Sequence, residues 1–207
     1  MLPEQFCVRM KEMLGEEYAA FYASYDLPKY QALRINPLKT ERDTFLLQAP
    51  FSLNRVPWTT NGYYYSGNDQ PGRHPYHEAG VYYIQEPSAM APAEYLMAEP
   101  GERILDLCAA PGGKSTQIAC SMQGEGLIVC NEIHPARAKI LSENIERMGV
   151  CNALVTNETP QKLSDNFREY FDRILVDAPC SGEGMFRKNE DACDEWSLSL
   201  IHISEPT

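Results

Sequence analysis

No stretch of the 207 residues comes near the ~20 consecutive apolar residues that a membrane-spanning helix needs. The N-terminus, Met1-Leu2-Pro3-Glu4-Gln5-Phe6, lacks a basic flank and a long apolar segment, so it does not read as a secretory signal. Positive charge is scarce. Lys and Arg number 18 against 29 Asp and Glu, a formal charge of −11. That balance argues against a protein that holds nucleic acid by bulk electrostatics, so any RNA contact must come from a local basic surface or from something absent from this chain. No CxxC pair occurs among Cys7, Cys108, Cys120, Cys130, Cys151, Cys180 and Cys193. Neither a zinc site nor a disulfide framework is expected, most of these thiols read as small core residues, and a reducing cytoplasm fits best. His74 and His77 lack an evident third ligand, so no metal is expected there. Internal repeats and low-complexity tracts are also absent. With 43% hydrophobic residues the chain can nevertheless bury a real core, which excludes a disordered tail.

Three zones follow one another. Up to about Asn36, the residues Phe6, Met10, Met13, Leu14, Tyr18, Phe21 and Tyr22 recur at helical spacing. Asp26-Leu27-Pro28 ends that pattern, and Ala32-Leu33-Arg34-Ile35-Asn36 reads as a short strand. From about 38 to 100 the chain is rich in turns and tyrosine, including Tyr63-Tyr64-Tyr65 and Tyr82-Tyr83. These rings either stack on bases or pack a loop-rich subdomain. Residues 1–99 are expected to form a small α+β subdomain with a possible RNA contact. Pro100-Gly101 marks the junction to a third zone, 100–197.

In that zone strand and helix patterns alternate. Strands are expected at Ile104–Cys108, Leu127–Cys130, Ala153–Thr156 and Arg173–Asp177. Helices are expected at Lys114–Met122 and at Pro135–Met148, the latter burying Ala136, Ile140, Leu141, Ile145 and Met148 and capped by Gly149. The alternation predicts an α/β fold with a mostly parallel sheet.

The chemistry gathers at the strand ends. In Asp106-Leu107-Cys108-Ala109-Ala110-Pro111-Gly112-Gly113-Lys114-Ser115-Thr116 a strand feeds a small-residue turn that opens a helix. Such a turn lets a nucleotide-type cofactor approach the backbone and the free helix N-terminus. It is not a P-loop, because Leu107 stands where the first glycine would, and GxGxxG is absent. Glu132, one βα unit later, can accept both hydroxyls of a ribose, or else serve as an acid at the next helix N-terminus. After the third strand, Asn157-Glu158 is a weaker candidate for an adenine contact. The fourth strand runs into Asp177-Ala178-Pro179-Cys180-Ser181-Gly182. A thiolate there can add to C6 of a pyrimidine and make C5 nucleophilic, while a carboxylic acid stabilises the adduct. The alternative is a tight turn with a buried cysteine.

The two long motifs together resemble the Sun-type RNA cytosine-C5 methyltransferases, most closely their RsmF-like branch, which modifies ribosomal RNA. Arg34-Ile35-Asn36, the segment Gly80 to Ser88, and Gly182-Glu183-Gly184-Met185-Phe186-Arg187-Lys188 fit that branch, and the resemblance covers about 1–197. It implies a Rossmann-like S-adenosylmethionine-dependent methyltransferase sheet and S-adenosylmethionine as methyl donor. Cys108, Ala109, Ala110, Pro111, Gly112, Gly113 and Lys114 would wrap the donor's methionine and sugar end. Glu132 would hold its ribose, Glu158 (or Asn157) would approach the adenine, and Asp177 would lie between donor and cytosine. Cys180 is then the thiol that helps release the product. Ribosomal RNA is the expected partner, with neither metal nor membrane.

The resemblance also implies differences. The family's attacking cysteine lies in a later motif, after the next core strand, so the sheet here is expected to be incomplete and the chain an N-terminal piece. Leu198–Thr207 does not look like the family and reads as a translated sequencing adapter. An exposed apolar edge is expected at Ile174-Leu175-Val176. The function expected of the whole protein is methylation of cytosine C5 in ribosomal RNA. For the chain alone the alternative is a donor-binding remnant without catalysis. Cys180 acting as sole nucleophile, as in DNA cytosine methyltransferases, and methylation of an amino group are further readings.

Overall fold

A computed structural model describes residues 2–178, 183–186, 193, 194 and 196. They divide into two compact units: residues up to Lys29 with those from Ala178 onward, and 30–177.

In the first unit, α1 (Glu4–Leu14) and α2 (Tyr18–Ala23) carry the expected helical pattern. Only Phe6 of α1 is fully buried. It meets Phe186 edge-on at 5.0 Å and Trp196 at 5.9 Å. Met13 and Tyr22, which share the spacing, are exposed. Glu183 accepts hydrogen bonds from Trp196 Nε1 at 3.1 Å and from Arg9 at 3.3 Å, which ties this small core together.

The second unit holds two sheets. The first is antiparallel, built from β1 (Ala32–Ile35), then α3 (Arg42–Gln48), β2 (Leu53–Arg55), β3 (Gly62–Tyr65), α4 (Pro75–Glu78) and β4 (Tyr82–Ile84). Its strand order is β2-β3-β1-β4. Leu33, Ile35, Tyr63 and Tyr82 share one face and pack with Phe45 of α3. Alternation sends Arg34 to the opposite face, where it is nevertheless buried. The tyrosines of this sheet are therefore mainly core: Tyr82 is fully buried and donates to Pro71 O at 2.7 Å. Tyr30 is exposed. His74 caps α4 by accepting from Tyr76 N, and among the described residues no cluster could hold a metal ion.

After α5 (Ala91–Leu96) comes the parallel sheet, with β5 (Arg103–Asp106), α6 (Gly113–Met122), β6 (Leu127–Asn131), α7 (Pro135–Met148), β7 (Ala153–Thr156), α8 (Pro160–Asn166) and β8 (Arg173–Leu175). The order is β7-β6-β5-β8, all neighbours parallel. Helices cover both faces, as a parallel sheet requires. Ile104, Ile128 and Cys130 pack against Ile118, Met122, Leu141 and Ile145, while Leu105 and Val129 pack against Leu163.

Several expectations are corrected. β5 stops at Asp106 and β8 at Leu175, two residues earlier than expected, because the chain turns away to form the site. The buried stripe of α7 is Ala138, Leu141, Ile145 and Met148; Ile140 and Ala136 point away. Spacings of three, four and three keep that stripe on one face, and position 140 falls outside it. Among the described cysteines only Cys120 and Cys130 are buried, and Cys151 is exposed in the turn before β7. At the β8 edge Ile174 and Val176 are exposed as expected, but Leu175 packs on the core. The segment Leu198–Thr207 lies outside the described residues.

Candidate functional site

Because β5 lies between β6 and β8, the chain leaves β5 in one direction first and returns on the other side. The crevice at the C-terminal ends of β5 and β8 is the switch point of the sheet, where open α/β folds bind ligands. The residues singled out from sequence lie along this edge. Asp106 ends β5, Asn131 ends β6 with Glu132 directly after it, Asn157-Glu158 follow β7 and Asp177 follows β8.

The glycine turn joins β5 to α6. Gly112 sits at the N-cap with φ 110°, a left-handed conformation that suits glycine. A side chain there would also press within 3.2 Å of Leu141 Cδ1. The first amides of α6 have no partner within the helix, which makes its N-terminus a ready anion site. Each side chain of the first helical turn has a separate task. Lys114 Nζ pairs with Asp177 Oδ2 at 2.6 Å, Ser115 Oγ donates to Asp106 Oδ2 at 2.7 Å, and Thr116 Oγ1 donates back to Gly112 O at 2.8 Å. Gln117 Nε2 donates to Met90 O at 2.9 Å, anchoring the helix to α5's approach.

Asp106 is nearly inaccessible, and its Oδ1 has no hydrogen-bond partner. Burial pushes its carboxyl up to about 6, against the hydrogen bond from Ser115 and the charge of Lys114, which both favour ionisation. A buried acceptor left open costs free energy unless a ligand satisfies it. Cys108 is half-buried, and burial followed by the negative charge of Glu132, Asp106 and Asp177 raises its pKa, so it stays a thiol. Ala109 N donates to Asn131 O, and the Ala110–Pro111 peptide is cis.

Glu132 is 3% exposed. Its Oε1 accepts from His134 N at 3.0 Å, ahead of α7, and its Oε2 pairs with Arg137 at 3.3 Å. Both readings of this residue thus have a structural counterpart: it stands at the sheet edge and also caps the helix approach. Arg137 Nη2 further donates to Ala110 O at 2.8 Å, bridging the glycine turn and the β6 loop. Sequence reasoning passed over Arg137, because it stands five residues after Glu132, outside the three- and four-residue spacings that flag a helical ion pair. It also left Asp106 out of the ligand set, although a carboxylate ends the strand before the turn. Asn131 was the third omission. It donates to Leu107 O and Glu158 O and accepts from Thr156 Oγ1 and Glu158 N, stitching three strand ends.

After β7 the amide of Asn157 donates to Glu132 O at 2.6 Å, so it serves the loop backbone. Glu158 directs Oε2 to Lys162 at 2.8 Å and is part exposed. Asp177 is half exposed and oriented by Lys114. Cys180 lies outside the described residues.

The N-terminal domain of 16S rRNA methyltransferase RsmF matches residues 2–87, and the 16S rRNA methyltransferase RsmB/F family matches residues 93–198. Ribosomal RNA small subunit methyltransferase F of Photobacterium profundum is 38% identical over 97% of this chain and 44% of its own length. The protein of the same name from Citrobacter koseri is 40% identical, over 95% and 43% respectively. The chain thus spans less than half the length of these relatives. A crystal structure of a methyltransferase homolog protein from Pyrococcus horikoshii is 30% identical with a TM-score of 0.79, covering 90% of this chain and 62% of that one. Half of the sequence, including the whole glycine turn and the strand ends around it, falls within one family match, and the chain belongs to the 16S rRNA methyltransferase RsmB/F family.

Proposed function

We propose that the protein transfers a methyl group from S-adenosylmethionine to C5 of a cytosine in small-subunit ribosomal RNA, in the cytoplasm. One observation carries the donor assignment: a buried, unpartnered Asp106 oxygen lies beside an open helix N-terminus at the switch point of a parallel sheet. S-adenosylmethionine is a zwitterionic amino acid joined to a ribose and an adenine, and it fits that donor and acceptor set. The amides opening α6 would take its carboxylate and Asp106 its ammonium. Glu132 would take the ribose hydroxyls once Arg137 yields, and Glu158 would lie toward the adenine. When bound, the donor supplies an electrophilic methyl group on a sulfonium centre.

On the base side, Lys114 holds the Asp177 carboxylate at the edge of the crevice, where it can accept a hydrogen bond from the exocyclic amine of cytosine. A thiolate adds to C6 and forms a C–S bond, which makes C5 nucleophilic. After C5 takes the methyl group, its proton is removed and the C–S bond breaks. By family resemblance the attacking thiolate comes from a later motif and Cys180 assists release. The RNA contact is assigned to residues 1–99.

The test is calorimetric titration of S-adenosylmethionine into this chain and its E132A variant, followed by incubation with ribosomal RNA containing 5-fluorocytosine. Saturable binding that E132A abolishes is expected. A denaturation-resistant RNA adduct would place the cytosine chemistry in this chain itself. Binding with no adduct would leave it as the donor-binding part, and absence of binding would overturn the donor assignment.

A further inference from the structure

Arg34 belongs to the antiparallel sheet, yet its guanidinium ends at the glycine turn of the parallel one. It is 1% exposed. Nη2 donates to Gly113 O at 3.0 Å and to Thr116 Oγ1 at 2.8 Å. Thr116 passes the contact on, donating to Gly112 O at 2.8 Å. Nε donates to Gln85 Oε1 at 3.1 Å, and Gln85 is itself anchored on Ala89 O at 2.9 Å. Tyr83 and Gln85 also wall the turn from behind: a Cβ on Gly113 would lie 3.3 Å from the Tyr83 ring and 3.5 Å from Gln85 Cδ.

This arrangement is costly. Among the described residues no carboxylate hydrogen-bonds Arg34; its cation gives up hydration for neutral acceptors, with the Tyr83 ring at 5.8 Å and the charge of Glu94 only partly offsetting burial. Apolar side chains of similar volume would join sheet to helix without that cost. What they cannot supply is a directional hold on Gly113 O and Thr116 Oγ1, and through Thr116 on Gly112 O. Gly112 O and Gly113 O belong to the backbone that opens α6. We propose that Arg34 is a positioning residue for the donor turn, acting through Thr116 to hold Gly112-Gly113 in its ligand-ready conformation. The inference rests on the reading of that turn as the S-adenosylmethionine site.

The test has one readout with the donor and one without it. Amide hydrogen exchange at Gly112 and Thr116, whose amides donate to Ala109 O and Gly112 O, is measured in the donor-free chain, well below its melting temperature, for wild type, R34M, T116V and T116S. Exchange there should rise about tenfold in R34M and T116V and stay at the wild-type level in T116S, which keeps the hydroxyl. Exchange in β6 and β7 should not change. S-adenosylmethionine affinity should fall five- to tenfold in the same two variants, as loss of one or two buried hydrogen bonds would give. If R34M does not fold, T116V carries the test, because it is isosteric. Unchanged exchange at these two amides in T116V, an equal rise throughout the unit, or loosened exchange with undiminished donor affinity would each overturn the inference. Failure of wild type to bind the donor would instead overturn the donor assignment, while the exchange result would still decide whether Arg34 positions the turn.

Discussion

At the scale of single residues, the open question of the site is what Asp106 does without a ligand. Its carboxyl is pushed up to about 6 by burial, from an ordinary 3.8. The folded state therefore binds a proton that the unfolded state has released between those values. The resulting stabilisation is complete below about pH 4 and is lost as pH rises through about 6, a swing of about 3 kcal/mol at one pKa unit per 1.4 kcal/mol. In melting curves of the donor-free chain, D106N should remove this part of the pH dependence, seen as the wild-type minus variant difference between pH 4 and 7.5. A cationic ligand beside Asp106 favours the ionised form, so S-adenosylmethionine affinity should weaken as pH falls below 6 in wild type and not in D106N. Identical pH profiles for the two would show that the open oxygen faces no cation. The type of site was readable from Asp106-to-Lys114, since glycines and a strand end leave few alternatives. The orphaned oxygen and the Arg137 bridge were not, because both depend on which side chains meet across loops far apart in sequence.

At the scale of elements, legibility followed period and length. The helix Pro135–Met148 and the strand Ala153–Thr156 appear where the pattern puts them, because a long periodic stripe and an apolar run between turns leave little choice. The antiparallel sheet was only partly legible, its strands being three or four residues long with a buried arginine in the central one. α8 was missed because Pro160–Asn166 buries only Leu163. The stripe of α7 offers a sharp check. Leu141 is fully buried and its Cδ1 backs Gly112, whereas Ile140 is half exposed. L141A should cost about 2–5 kcal/mol by denaturant unfolding, and I140A less than about 0.5 kcal/mol. The reverse order would restore the expectation that Ile140 belongs to the core.

At the scale of the whole molecule, the unit 30–177 contains two sheets of different kind, and the joint between them determines how it unfolds. A helix C-terminus leaves its last carbonyls without partners. In α7 the Gly149 and Val150 amides close on Glu146 O and Ile145 O, and the antiparallel part meets the last two carbonyls: Asn36 Nδ2 donates to Met148 O at 2.8 Å, and Lys39 Nζ donates to Arg147 O at 2.6 Å. The same two side chains bond Gly80 O and Ala79 O, so one pair of residues closes the helix end and a loop of the other sheet together. Gly80 has no alternative there, since a Cβ would lie 2.1 Å from Arg147 O. With Arg34 joining β1 to α6 at the other end, neither sheet can open without stripping buried polar groups from the other. The unit should therefore lose its helical signal and its tyrosine near-ultraviolet signal in one coincident transition. N36A removes two buried hydrogen bonds to carbonyls and leaves both acceptors unmet, which should cost about 2–4 kcal/mol and should split or broaden that transition. Two separated transitions already in the wild type would mean that the sheets fold independently and that the arginine and asparagine contacts are too weak to couple them.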